Sequence, residues 1–251
     1  MSQVLVSIPQ IKNMSCFKNT FLSDNPNDGW IKSGDLKMMA GMATNEDPEK
    51  PTGASFWDEK FKREDYLYGE KPNQYFAQKL VELTPGALFL PGEGEGRNAI
   101  FAAKAGWKVI AVDQSAEGRN KALALAHTHK VSLEYYLVDI TAAELKDSYF
   151  EAIGLIYIHL PQYLRRAWHR KLLDALKPGG HLILEGFSKS QMGKSSGGPK
   201  DLSMLFDLKE LEEDFKSLEI IEATERIVTL DEGLGHNGDA SVVRIYARKN
   251  T

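Results

Sequence analysis

The chain has 251 residues, 42% of them apolar, which suits one large domain with its own core rather than a scaffold held by disulfides or a structural metal. Its 31 basic and 35 acidic residues leave a formal net charge of -4, so the basic face of a dedicated nucleic-acid or anionic-membrane binder is excluded. The lone Cys16 excludes a disulfide framework and a cysteine zinc cluster, and no apolar run reaches the roughly 18 residues of a membrane span.

Residues 1 to 54 read as a flexible N-terminal extension. Asn25-Pro26-Asn27-Asp28-Gly29 and Asn45-Glu46-Asp47-Pro48 are turn and linker chemistry, with a short packed piece around Trp30 and Ile31 as an option. Met42 is an alternative start. Met1 to Phe21 has neither a continuous apolar core nor a small-residue cleavage site, so the expected location is cytoplasmic. The same stretch lacks acids and carries Lys12 and Lys18, which leaves an organelle-targeting reading open.

The expected domain spans residues 55 to 251. Phe56, Trp57 and Phe61 are spaced for an amphipathic helix, with Ser55 as N-cap. Tyr66-Leu67-Tyr68-Gly69 breaks into a loop, and Pro72 to Leu83 is helical. Strands follow at Leu88 to Leu90, Lys108 to Val112, Leu133 to Val138, Ile153 to Ile158 and His181 to Glu185. Between them lie helices at Asn98 to Lys104, Arg119 to Ala126 and Leu164 to Leu176, the last followed by a Lys177-Pro178-Gly179-Gly180 turn. That alternation predicts an α/β fold, a doubly wound parallel sheet with helices on both faces. Asp207 and Glu210 cap a further helix running to about Lys216. Glu219 to Leu230 and Ser241 to Arg248, joined by a loop over Asp231 to Gly238, then form an antiparallel hairpin on the sheet edge.

Chemistry concentrates after the first strand, in Pro91-Gly92-Glu93-Gly94-Glu95-Gly96-Arg97-Asn98. Glycines at a strand-to-helix junction let a ligand approach the backbone beside the positive end of a helix. Asp113, 21 residues after Gly92 and ending the second strand, is placed to accept both hydroxyl hydrogens of a ribose; capping the next helix is its plain alternative. A dinucleotide site needs a small residue where Arg97 stands. Glu93 and Glu95 would repel a pyrophosphate but suit a sulfonium and an ammonium group, so S-adenosylmethionine is favoured over NAD.

At these residues the chain resembles the class I S-adenosylmethionine-dependent methyltransferases, and within them the TehB-like (tellurite-resistance-type) small-molecule enzymes. The resemblance is carried from Ser55 onward by Phe56-Trp57-Asp58, Tyr68-Gly69-Glu70-Lys71-Pro72-Asn73, Gly92 to Ala99, Ala111-Val112-Asp113, His159-Leu160-Pro161, Lys177-Pro178-Gly179-Gly180, Gly197-Gly198-Pro199, and Glu232-Gly233 with His236 and Gly238. It implies a Rossmann-like seven-stranded sheet of order 3-2-1-4-5-7-6 with strand 7 antiparallel. It further implies that Gly92, Glu93, Gly94, Gly96 and Asn98 line the methionine and ribose side, and that Asp113, Gln114 and Ser115 hold the ribose. Asp139 with Ile140 would meet the adenine, or Asp139 would cap a Thr141 to Leu145 helix. Tyr68, with Tyr66, would cover the cofactor or pack on the sheet rim. The general family has an acid where this chain has Leu90, and Glu93 is assigned its charge.

The fourth strand ends in Ile158-His159-Leu160-Pro161, without the Pro-Pro-aromatic pattern of base N-methylating enzymes. His159 and His236 are the candidate catalytic residues: His159 is placed to position or deprotonate an acceptor near neutral pH and is equally readable as a satisfied structural histidine, whereas His236, in the hairpin loop, is placed to touch the substrate but is more commonly a surface turn histidine. Arg165, Arg166, Arg170 and Lys171 read as a solvated helix face or a contact for an anionic acceptor. Ser188 to Lys200 reads as a mobile lid. The expected function is methyl transfer to a small, soft or anionic acceptor, a thiol or chalcogen oxyanion, with no metal, nucleic-acid or membrane partner. An O- or N-methyltransferase of a small metabolite, and a non-catalytic cofactor binder, are the alternatives.

Overall fold

A computed structural model describes residues 53–251. The extension expected over residues 1 to 54 therefore lies outside the described residues except for its last two, which already belong to the first helix, α1 (Gly53–Phe61). Ser55 is thus inside α1 rather than its cap. The second helix, α2 (Gln74–Leu80), is shorter than expected because Asn73 caps it, its side chain accepting from Phe76 N.

A single seven-stranded sheet has the order β3-β2-β1-β4-β5-β7-β6. Strands β1 (Ala87–Pro91), β2 (Lys108–Asp113), β3 (Glu134–Leu137), β4 (Phe150–Ile156) and β5 (Leu176–Phe187) pair in parallel. β7 (His236–Lys249) runs antiparallel between β5 and β6 (Leu218–Glu232). This is the strand order that the resemblance implies, with strand 7 reversed.

Side chains alternate across β1, as strand geometry demands. Leu88 and Leu90 enter a core beneath α2, α3 (Arg97–Lys104) and α4 (Ala116–His129), whereas Phe89 enters the opposite core beneath α5 (Gln162–Ala175) and α6 (Leu208–Asp214). Both cores are dominated by fully buried aliphatic and aromatic residues, and each such side chain contributes roughly 1.5–3 kcal/mol. Asp207 caps α6 as its spacing with Glu210 predicts, accepting from Lys209 N and Glu210 N at 3.0 and 3.2 Å.

Three expectations fail locally. Lys177 to Gly180 is not a turn but the start of β5, where Phe150 pairs with Leu176 and Ala152 with His181, so a bulge absorbs the extra residues. Thr141 to Leu145 forms a turn instead of a helix. The eight-residue hairpin loop is also absent, since β6 and β7 pair out to Glu232 and His236 and leave only Gly233 to Gly235 as the tip. That extension carries His236 off the surface and over the carboxyl ends of β4 and β5.

Candidate active site

Above the carboxyl ends of β1, β2, β4 and β5 lies one cavity of about 1070 Å³. Its position is where a doubly wound sheet holds its ligand. One end is the glycine-rich turn between β1 and α3, with Gly92, Glu93, Gly94 and Asn98 in its wall beside Asp113 and Gln114 of the β2 end and Asp139 and Ile140 beyond β3. The other end holds Tyr157, His159, Phe187, the Gly197-Gly198-Pro199 segment, Met204 and His236.

The turn is shaped by backbone that only glycine adopts cheaply. Gly92 has φ of +59°, and a Cβ there would stand 2.4 Å from Ile158 Cδ1. Asp113 is clamped by its own loop, Oδ2 accepting from Gly94 N at 2.9 Å and Oδ1 from Ser115 N at 2.8 Å. Burial pushes its pKa up against those two bonds, leaving a carboxylate whose remaining lone pairs suit a pair of hydroxyls. Glu93 accepts from Ala99 N at 2.7 Å at the start of α3. Burial outweighs that bond and the nearby Arg97, and its pKa is pushed up to about 7. A buried acid short of positive charge, beside a second buried acid with lone pairs to spare, is a donor set that a ligand with an ammonium and a pair of hydroxyls would complete.

Not every residue expected to bind the cofactor lines the cavity. Gly96 does not line the cavity; at φ of +92° it lets α3 approach α4, a Cβ falling 2.7 Å from Ala122 Cβ. The Ser115 hydroxyl is spent within the protein, accepting from Gly118 N at 3.0 Å and donating to Asp58 Oδ1 at 2.6 Å. Glu95 points away from the cavity, accepting from Leu67 N at 2.8 Å and Lys121 Nζ at 2.5 Å. Asp139 is exposed, and its Oδ1 closes the following turn by accepting from Thr141 N and Oγ1, both at 2.7 Å, though it still borders the cavity. Ile140 stands beside it, with its carbonyl accepting from Trp168 Nε1 at 2.9 Å. Tyr68 lines the cavity, with its phenol raised to about 12 by burial. Tyr66 instead packs outside, donating to Lys121 O at 3.3 Å.

The two histidines part company. The Nδ1–H of His159 donates to Met204 O at 2.9 Å, so Nε2 is left to accept from Phe187 N at 3.1 Å. Both nitrogens are occupied by backbone, and burial lowers the pKa to about 4. The expectation that His159 takes a proton from an acceptor is corrected: it ties the ends of β4 and β5 to the Met204 segment. His236 is different. Its Nδ1 lies 3.4 Å from Glu232 Oε2, and no group among the described residues hydrogen-bonds its Nε2. Rings of Tyr68, Tyr157 and Phe187 stand around it at 4.4, 4.3 and 5.1 Å. Burial and Arg97 lower its pKa against the opposing pull of Glu232, so the imidazole is neutral at physiological pH.

Several site residues went unassigned in the sequence. Trp57 and Phe61 were legible only as the apolar face of a helix, yet both line the cavity and stack at 5.5 Å. Tyr157 has a left-handed backbone, φ of 56°, for which no sequence signal exists; its hydroxyl donates to Glu185 Oε1 at 3.0 Å. Asn73 Nδ2 donates to both Glu185 Oε1 (2.6 Å) and Glu232 Oε1 (2.9 Å), and Arg244 Nε donates to Glu185 Oε2 at 2.5 Å.

Two further expectations are corrected. Arg165 is no solvated cation, for it is fully buried, donating to Asp214 Oδ2 and Glu210 Oε2 at 3.0 Å each. The segment Ser188 to Lys200 does roof the cavity but is pinned down. Gln191 Nε2 donates to Ser196 Oγ (2.9 Å) and Gly197 O (3.0 Å), and its Oε1 accepts from Ser241 N at 2.8 Å.

Comparison with known proteins agrees with this fold. Residues 91–180 match a methyltransferase domain. No curated protein matches the chain by sequence. Among solved structures, TehB from Haemophilus influenzae is similar at 17% identity and a TM-score of 0.60, covering 78% of this chain and 67% of its own. A structure described under the conversion of a disulfide bond into a thioacetal group during echinomycin biosynthesis is similar at 16% identity and a TM-score of 0.64, covering 78% of this chain and 91% of its own. The N-methyltransferase NodS from Bradyrhizobium japonicum is similar at 13% identity and 0.52, over 70% of this chain and 94% of its own. Residues 91–180 are thus similar to a methyltransferase domain, and the chain has the class I fold.

Proposed function

We propose that the chain transfers the methyl group of S-adenosylmethionine to a small thiol, with His236 as the proton acceptor. The observation that carries this reading is the continuity of one cavity from the Glu93 and Asp113 cradle to the ring-lined pocket around His236. Bound S-adenosylmethionine supplies a methyl group on a positively charged sulfur, an electrophile that needs no activation by the protein. Glu93 would hold the ammonium of its amino-acid end, Asp113 and Gln114 its ribose, and Asp139 with Ile140 its adenine.

What remains for the chain is orientation, exclusion of water and one proton. Tyr157, Phe187, Leu160 and Met204 make the acceptor end apolar and polarisable, which suits sulfur more than a strongly hydrated oxyanion. A thiol with a pKa near 8.5 is mostly protonated at neutral pH. Neutral His236 would take its proton at Nε2, and the bond from the acceptor sulfur to the methyl carbon would replace the one from that carbon to the sulfonium, which would leave as the neutral thioether of S-adenosylhomocysteine. The echinomycin-pathway structure, whose description concerns sulfur chemistry, and the TehB likeness support a soft acceptor.

Calorimetric titration with S-adenosylhomocysteine is the first test, NADH being the control ligand. Micromolar binding of the former alone, lost in Asp113→Ala, is expected. An acceptor panel of small thiols, tellurite, selenite, a catechol and an amine follows. Turnover of thiols is expected; turnover of oxyanions alone, or of the catechol or amine alone, would overturn the thiol assignment. Binding without any turnover would favour a non-catalytic protein, a reading to which the apolar, fully buried Leu90 gives weight.

A further inference from the structure

Arg97 is the residue at which the glycine-rich turn and the acceptor wall meet. It starts α3, directly after the turn, and is nearly buried. Its Nη2 donates to Glu232 Oε2 at 2.8 Å and its Nη1 to Tyr68 O at 3.2 Å, with the guanidinium 5.9 Å from the Tyr68 ring centre. Glu232 Oε2 is also the atom that faces His236 Nδ1, and Asn73 occupies the other carboxylate oxygen. Glu232 is therefore fixed from two sides, by a planar fork and an amide, and its one remaining direction is toward the imidazole.

We infer that Arg97 and Glu232 are positioning residues for His236: the Arg97 clamp holds Glu232 so that it accepts Nδ1–H, which leaves the Nε2 lone pair directed into the acceptor end of the cavity. This rests on the proposed role of His236. It also narrows the acceptor. A group that arrives protonated on a weakly acidic S–H gains from such a base, whereas an already ionised oxyanion gains nothing. Arg97 is thereby read as more than a residue incompatible with a dinucleotide, because it joins the cofactor turn to the base.

The electrostatics are compatible. Burial raises and Arg97 and His236 lower the Glu232 pKa, with the lowering larger, so Glu232 is ionised. The charged groups that bear on His236 are Glu232 and Arg97, Glu185 from β5, and the ring of His159 from beyond β4; Tyr68 and Tyr157 face it with protonated phenols. Removing Arg97's charge would raise the His236 pKa and removing Glu232's would lower it.

Nitrogen NMR of ring-labelled protein tests this without any acceptor. In the wild type, His236 is expected as the Nδ1–H tautomer; an Nε2–H tautomer would overturn the inference with no variant required. In Glu232→Gln the His236 pKa is expected to fall, and in Arg97→Gln to rise, each by about half a pH unit or more. Movement of both in one direction, or of neither, would also overturn it. Arg97→Lys keeps the charge but not the fork, so the pKa is expected near wild type while the tautomer becomes mixed; an unmixed tautomer would mean that the fork does not orient Glu232. S-adenosylhomocysteine titration of Glu232→Gln separates this from the broader reading, since Glu232 does not line the cavity and cofactor affinity is expected to persist.

Discussion

Glu93 shows how a single buried carboxyl can make an empty site less stable than a filled one. Its pKa is pushed from an ordinary 4.5 to about 7 by burial, so the folded protein binds a proton that the unfolded chain has released above pH 4.5. Stability from this group is therefore complete below pH 4.5 and is lost as pH rises through 7, by about 3 kcal/mol in all. Comparing melting temperatures at pH 5 and pH 8, the wild type should lose about 5–10 °C more than Glu93→Gln. Equal losses in the two proteins would contradict the buried-acid account. S-adenosylhomocysteine, which keeps the ammonium, should restore part of the loss at pH 8. Asn73 makes the complementary point at the same scale. One side chain caps α2 and separates two carboxylates that would otherwise face each other, which no spacing rule in the sequence reveals.

Among the elements, α1 is the one whose role differs most from its appearance. Its aromatic stripe reads as core, but only Phe61 is buried, and Trp57 and Phe61 face the cavity. What docks it is polar. Asp58 Oδ1 accepts from Ser115 Oγ at 2.6 Å and Glu117 N at 3.1 Å, capping the positive end of α4 from another helix. Asp58→Ala should cost about 1–2 kcal/mol. It should also weaken S-adenosylhomocysteine binding roughly tenfold through the displaced wall, since that loss corresponds to about 1.4 kcal/mol. Unchanged calorimetric affinity would remove α1 from the cofactor site. The parallel sheet and its helices were legible because β1, β2 and β4 are short apolar runs between capped helices. The place of the glycine-rich turn and of Asp113 in the cavity wall was legible for a related reason: glycine and acid positions there are set by backbone geometry. The hairpin was misjudged because Asp231 to Gly238 is rich in turn residues, yet cross-strand pairing continues through most of it. His159 and His236 could not be told apart in sequence, because the difference lies in backbone partners at Met204 and Phe187.

At the scale of the molecule, the two ends of the domain close over the cavity as one unit. Gly235 N donates to Leu67 O at 2.9 Å, and a Cβ on Gly233 would fall 2.6 Å from both Gly69 N and Leu67 O. Leu67 N is in turn held by Glu95, beside the glycine-rich turn. Ligand binding at that turn should therefore slow amide exchange at Gly69 and Gly235 together. Hydrogen exchange with and without S-adenosylhomocysteine measures this, and protection of Gly69 without Gly235 would show that the two ends move independently. The reversed seventh strand has a consequence for the order in which the protein is made. Everything from β1 to β3 leaves the ribosome roughly 100 residues before His236, a delay of about 5–20 s at usual synthesis rates. A nascent chain can thus gather the Glu93 and Asp113 end of the cavity before its His236 end exists, and the cavity becomes whole only when the returning strand slides between two neighbours already waiting for it.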